Sequence, residues 1–197
     1  ILMTKESYVQ KGFWEFFRER SATSFGGVPY TYEILKRMRI FKGELPSLTS
    51  MTQAGGRLSK ALQKEVGEWA KAHNVRFVVM YGQTEATARM SYLPPEKCLY
   101  KLGSIGIPVP GGSFYLLDDD GTVISGAGQT GELIYEGRNV SLGYAKKKED
   151  LRAGDQNKGV LHTGDMAYVD EDGCYYVTGR RKRFIKIFGV RVGLDAC

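Results

Sequence analysis

Apolar residues recur at mixed three- and four-residue spacing through Val9, Phe13, Trp14, Phe16 and Phe17, which predicts an amphipathic helix over residues 7–20. Residues 24–29, Ser-Phe-Gly-Gly-Val-Pro, read as a strand end and a turn, and a short helix over 31–38 is expected just beyond the proline. Ser59 is placed to cap a helix running to about residue 73: Leu62, Val66, Trp69 and Ala70 share one face, and Lys60, Lys64, Glu65 and Lys71 lie off it. The run that follows, Val75-Arg76-Phe77-Val78-Val79-Met80, is short, β-branched and apolar, as a buried parallel strand requires. Helix followed by buried strand is the grammar of an α/β domain.

Beyond Pro94-Pro95 the helical period fades. Short β-type runs at 113–117, 122–124, 132–135, 166–169 and 174–177 are separated by Gly and Asp turns. Asp120-Gly121 and Asp172-Gly173 supply residues that tolerate positive φ, so two hairpins are expected there. The predicted fold is α/β followed by mainly antiparallel β.

Composition narrows the function classes. With 197 residues, 42% hydrophobic and 12% aromatic, the chain can build one large domain or two small ones with real cores, which excludes a disordered segment. The net charge of +6 would suit a polyanion, yet the bases are interspersed with acids everywhere except Arg180-Arg181-Lys182-Arg183. No nucleic-acid partner is expected, and salt-sensitive retention of DNA would be needed to revive one. Cys98, Cys174 and Cys197 are odd in number and lack CxxC spacing, which argues against a disulfide framework or a zinc site and for a reducing cytoplasm. No apolar run is long enough to cross a bilayer as a helix. The chain opens on Ile1 rather than Met and stops shortly after an apolar, basic stretch, so an internal piece of a longer protein is expected.

Three strings could carry chemistry. Tyr81-Gly82-Gln83-Thr84-Glu85 directly follows the predicted buried strand, and open α/β sheets bind ligands beyond the carboxyl ends of their strands. There Tyr81 offers a ring face to a base, Gly82 permits close backbone approach, Thr84 can donate to a phosphate oxygen and Glu85 can hold Mg2+. In His162-Thr163-Gly164-Asp165 the carboxylate could accept from both hydroxyls of a diol. In Gly179-Arg180-Arg181-Lys182-Arg183 the first guanidinium could grip ribose or a phosphoryl oxygen. Taken singly, each is better read as an ordinary turn or a solvated basic strand.

Their order along the chain is more specific than any one of them. Gly26-Gly27-Val28-Pro29, Ala54-Gly55-Gly56, Tyr81 to Glu85, Gly103-Ser104-Ile105-Gly106, Thr130-Gly131-Glu132-Leu133 with Gly143-Tyr144, Thr163-Gly164-Asp165, and Gly179-Arg180 through Lys186 and Gly189 follow in sequence. This succession resembles the adenylate-forming (AMP-binding) superfamily of acyl-CoA synthetases, peptide-synthetase adenylation domains and beetle luciferases. The resemblance implies the later part of the large N-terminal domain. Residues 1–98 would then form an α/β subdomain carrying the Tyr-Gly-Gln-Thr-Glu string, 99–178 a small β-barrel-like subdomain, and 179–197 the hinge and the start of a lid domain.

The resemblance also implies roles. Gly55 and Gly56 would lie against adenine and Tyr81 would stack on it, with Gly82 beside them. Thr84 would touch the α-phosphate and Glu85 would hold Mg2+. Asp165 would bind ribose, Arg180 would be the basic residue just before the hinge, Lys182 would mark the hinge, and Lys186 with Gly189 would form the loop that enters the site for thioester formation. ATP or AMP, Mg2+ and CoA are the implied cofactors and acceptor, with a small carboxylic acid as substrate and CoA or a carrier-protein thiol receiving the acyl group. The implied function is an ATP-dependent, AMP-forming acid ligase. A carrier-protein-loading adenylation domain or a non-catalytic adenine-nucleotide-binding module is the alternative.

The sequence departs from the pattern at Gly55-Gly56-Arg57-Leu58, where many relatives read Gly-Gly-Ala-Pro-Leu. Nothing in it matches the family's upstream Ser/Thr/Gly-rich phosphate loop, nor the small domain that bears the adenylation lysine. The isolated chain is therefore expected to lack ligase turnover.

Overall fold

The computed structural model describes residues 3–181, together with the backbone of two strands, Phe184–Ile187 and Val190–Gly193. Its contacts divide into two compact units, residues 1–80 with 93–103, and residues 81–92 with 104–197. A single cut after residue 98 would split the segment 93–103, which belongs wholly to the first unit.

The first unit alternates helix and strand. Helix α1 (Lys11–Glu19) presents Trp14 and Phe17 to the core. Strand β1 (Ser24–Gly27) leads into α2 (Pro29–Arg37), where Pro29 occupies the first turn and its missing N–H costs nothing. Strand β2 (Ser50–Gln53) was not legible as a separate run, and α3 (Lys60–Ala72) follows it. The Ser59 side chain accepts from the Leu62 N–H at 3.2 Å, the expected cap. Strand β3 (Arg76–Tyr81) runs one residue past the predicted end, so Tyr81 is its last residue. Strands β1, β2 and β3 are parallel, with Gly27 opposite Gln53 and Gln53 opposite Val79. Tyr32, Leu35, Met51, Val66 and Phe77 fill the core between sheet and helices.

The second unit is mainly antiparallel. Two short strands, β4 (Ser91–Tyr92) and β5 (Ile107–Pro108), pair with each other. The principal sheet comprises β6 (Gly112–Leu117), β7 (Val123–Ile124), β8 (Gly131–Gly137), β9 (Val160–Val169) and β10 (Tyr175–Arg180), in the order β10-β9-β8-β6-β7. Both predicted hairpins are present, with Gly121 at φ +82° joining β6 to β7 and Gly173 at φ +74° joining β9 to β10. Phe114, Leu116, Leu133, Tyr135 and Ala167 form this unit's own core. The strands 184–187 and 190–193, β11 and β12, form an antiparallel pair. Among the described residues no helix is long and apolar enough to cross a membrane.

Candidate functional site

The chain turns sharply as β3 ends. A Cβ on Gly82 would stand 2.5 Å from the Ala88 carbonyl oxygen, so only glycine lets the two backbones pass. Thr84–Ala86 form a single 3-10 turn, and the next two residues, Thr87 and Ala88, sit at φ +53° and +59°. Left-handed backbone at non-glycine residues costs about 1–3 kcal/mol each, and a β-branched residue there is an outlier.

Asp165 reaches the same place from β9 by way of two bulges. Glu132 of β8 opposes Met166 while Ile134 opposes His162, so Thr163, Gly164 and Asp165 face Leu133 alone. Gly164 at φ +68° absorbs the extra length, and the Thr163 hydroxyl bridges the gap, donating to the Leu133 carbonyl at 2.7 Å and accepting from the Asp165 N–H at 3.0 Å. On the other side Val177 opposes Ala167 but Gly179 opposes Met166, which leaves Thr178 as the extra residue and sets Arg180 opposite Asp165. Bulges of this kind re-aim side chains beside functional sites.

Asp165 is only 5% exposed, and its carboxylate is held by three donors. Tyr81 donates its hydroxyl to Oδ2 at 2.6 Å, Gln83 donates Nε2 to the same oxygen at 3.0 Å, and Arg180 Nε lies 3.0 Å from Oδ1. A buried carboxylate needs partners of this kind to offset its lost hydration. Burial first, and then the Asp165 charge and hydrogen bond, push the Tyr81 phenol well above its ordinary range, so it acts as a donor. The Tyr81 ring meets Phe114 edge-on at 6.4 Å.

Two of these residues, Gln83 and Arg180, help line an open cleft of about 490 Å3, together with Gly82, Thr84, Glu85 and His162 among others. Tyr144 also lines it and donates its hydroxyl to Glu85 Oε1. That bond, followed by the Glu85 backbone N–H and the Arg180 charge, holds the Glu85 carboxyl below the usual carboxylate range. Behind the cleft the buried Glu132 carboxylate pairs with Arg181, with His162 Nδ1 at 3.7 Å.

Tyr81, Gly82, Thr84, Glu85, Asp165 and Arg180, singled out in sequence, thus meet within the second unit. Gly55 and Gly56 belong to the first unit, in the loop after β2, where Gln53 Nε2 donates to the Gly56 carbonyl at 2.9 Å and Gly55 adopts φ +79°. Lys182, the expected hinge, lies outside the described residues, as does the side chain of Lys186 on β11. Sequence reasoning gave no role to Gln83, Tyr144 or Glu132. Their partners are 82, 59 and 49 residues away, beyond any local pattern.

The profile of the family described as AMP-binding enzyme matches residues 1–145. The long-chain-fatty-acid–CoA ligase of Salmonella typhimurium is 34% identical over 173 residues, covering 86% of this chain and 29% of that protein. The luciferin 4-monooxygenase of Luciola mingrelica is 31% identical over 195 residues, covering 98% of this chain and 34% of its own length. Among solved structures, the O-succinylbenzoate coenzyme A synthetase of Bacillus subtilis in complex with ATP and magnesium ion superposes with a TM-score of 0.77 at 26% identity, over 96% of this chain and 38% of that one. The chain thus spans about a third of the length of the relatives it matches.

Proposed function

We propose that this chain, which belongs to the AMP-binding enzyme family, supplies the nucleotide-holding part of an ATP-dependent, AMP-forming acid ligase. The observation that carries the reading is the buried Asp165 carboxylate, held by Tyr81, Gln83 and Arg180 at the edge of a polar cleft rimmed by Thr84 and Glu85. A carboxylate is a bidentate acceptor suited to the two hydroxyls of a ribose. In this reading Asp165 takes the ribose, Arg180 steadies the ribose or a phosphoryl oxygen, Tyr81 stands beside the base and Thr84 donates to the α-phosphate. Gly82 gives close backbone approach to the nucleotide.

Among the described residues no three His, Cys, Asp or Glu side chains cluster as a metal cage. A single carboxylate, Glu85, at the mouth of the cleft fits Mg2+, which is commonly held by one or two carboxylates together with phosphate oxygens and water. The ion, when bound, would neutralise charge on the phosphates. The reaction joins a small carboxylic acid to the α-phosphorus of ATP and expels pyrophosphate, then passes the acyl group from the adenylate to a thiol and releases AMP. CoA is the acceptor proposed here, because the Salmonella and Bacillus relatives carry CoA in their names. Lys186 is proposed for the thioester step and Lys182 for the hinge. The buried thiol of Cys98 suits a reducing cytoplasm.

Binding of AMP to the full chain and to Asp165→Ala, measured by equilibrium dialysis, tests the reading. The variant should bind about tenfold more weakly or worse, since a charge-assisted bond is lost. The wild-type chain should show a similar deficit toward 2′,3′-dideoxy-AMP, a control that requires no mutation. Equal affinity for AMP and the dideoxy ligand would sink the ribose assignment.

A further inference from the structure

The segment after β8, residues 138–144, meets the turn that carries Thr84 and Glu85 through a dense set of bonds. Asn139 uses both ends of its amide, one toward the turn and one toward β8. Its Nδ2 donates to the carbonyls of Ala86 at 2.7 Å and Arg89 at 2.9 Å, on either side of Thr87 and Ala88. Its Oδ1 accepts from the hydroxyl of Tyr135, a fully buried core residue, at 2.8 Å. Its own carbonyl accepts from the Thr87 hydroxyl at 2.8 Å. Two residues on, the Ser141 N–H donates to the Glu85 carbonyl at 2.7 Å, and Asn157 fixes Ser141 in turn at 2.7 Å.

A pair of left-handed non-glycine residues does not persist by local preference, so the surrounding structure must over-determine it. Asn139 is placed to do that. It ties the two carbonyls that bracket the strained pair to a tyrosine rooted in the core, and an asparagine amide is the smallest side chain offering two donors and an acceptor in one plane. From these observations we propose that Asn139 is a positioning residue: it holds the turn in its strained form, so that Thr84 and Glu85 face the cleft in the geometry that engages phosphate and metal. This deepens the nucleotide reading above and rests on it.

The test compares the wild-type full chain with Asn139→Asp, Asn139→Ala and Asn139→Ala/Ala88→Gly. Asn139→Asp keeps the shape and the acceptor for Tyr135, but sets a carboxylate against two carbonyls. Affinity for ATP is measured with and without Mg2+, and hydrogen exchange is read at the Ala86 and Ala88 amides, which donate to the Gln83 carbonyl across the turn. In both single variants the Mg2+-dependent gain in ATP affinity should fall about tenfold and both amides should lose protection, because two donors to the carbonyls of the turn are gone. Glycine at position 88 removes a left-handed penalty, so the double variant should regain part of the Mg2+-dependent gain and of the protection. Single variants that keep wild-type amide protection and a wild-type Mg2+ gain would overturn the proposal, as would a uniform loss of affinity that Ala88→Gly does not relieve. Failure of the wild-type chain to bind ATP would instead remove the nucleotide reading, and the amide protection would still decide whether Asn139 holds the turn.

Discussion

The Tyr144 hydroxyl is the first cause of the low proton affinity of Glu85, ahead of the residue's own backbone N–H and the Arg180 charge. Tyr144→Phe removes that donor and nothing else, so the Glu85 carboxyl should titrate closer to the ordinary carboxylate value, as followed by NMR of its carboxyl carbon. An unchanged titration would show that Arg180 and the backbone suffice. The sign of the linkage follows from the direction of the shift. A carboxyl depressed in the folded state adds stability above its unfolded value, and that stability is lost as pH falls through the folded value. The variant should therefore lose less stability than the wild type across that acid window. Glu132 is a contrasting case: it is buried against Arg181, where removal of one partner leaves the other charge without compensation.

At the scale of single elements the sequence was most readable where a local rule acts alone. The apolar stripe of α3, its Ser59 cap and the buried strand β3 all follow from spacing, and the cap is directly testable. Ser59→Ala should lower stability by about 1 kcal/mol in urea unfolding, the usual cost of a lost N-cap. The hairpins at Gly121 and Gly173 were legible for the same reason, since positive φ singles out glycine. Strand β2 was not. Its four residues, Ser-Met-Thr-Gln, carry only Met51 as a large apolar side chain, and the pairing with β1 and β3 makes it a strand. Strand β9 was predicted over its last four residues only, because the bulge at Gly164 interrupts the two-residue alternation on which such a prediction depends.

Across the whole molecule, the candidate site draws on stretches about 80 and 100 residues apart in sequence. Composition could bound the size of the cores, but not show that residues 81–92 cluster with strands that follow them by 20 to 90 positions. The ordered string of motifs supplied that link through resemblance, whereas the contacts of Gln83, Asn139 and Tyr144 surfaced only when the chain was folded. AMP added to the full chain should slow hydrogen exchange together in peptides covering 81–85, 162–165 and 180. Protection confined to one of these stretches would break the assignment.

The extra residue at Thr178 governs which way Arg180 points. Two steps along β9 separate Ala167 from Asp165, an even count that keeps both on one side of the pleat, whereas three steps along β10 separate their partners Val177 and Arg180. Without an unpaired residue that odd count would turn the guanidinium away from the carboxylate. The strand pair therefore works as a phase-matched cassette. In a regular hairpin lacking that extra residue, an arginine three steps from the partner of Ala167 would fall on the face opposite the aspartate.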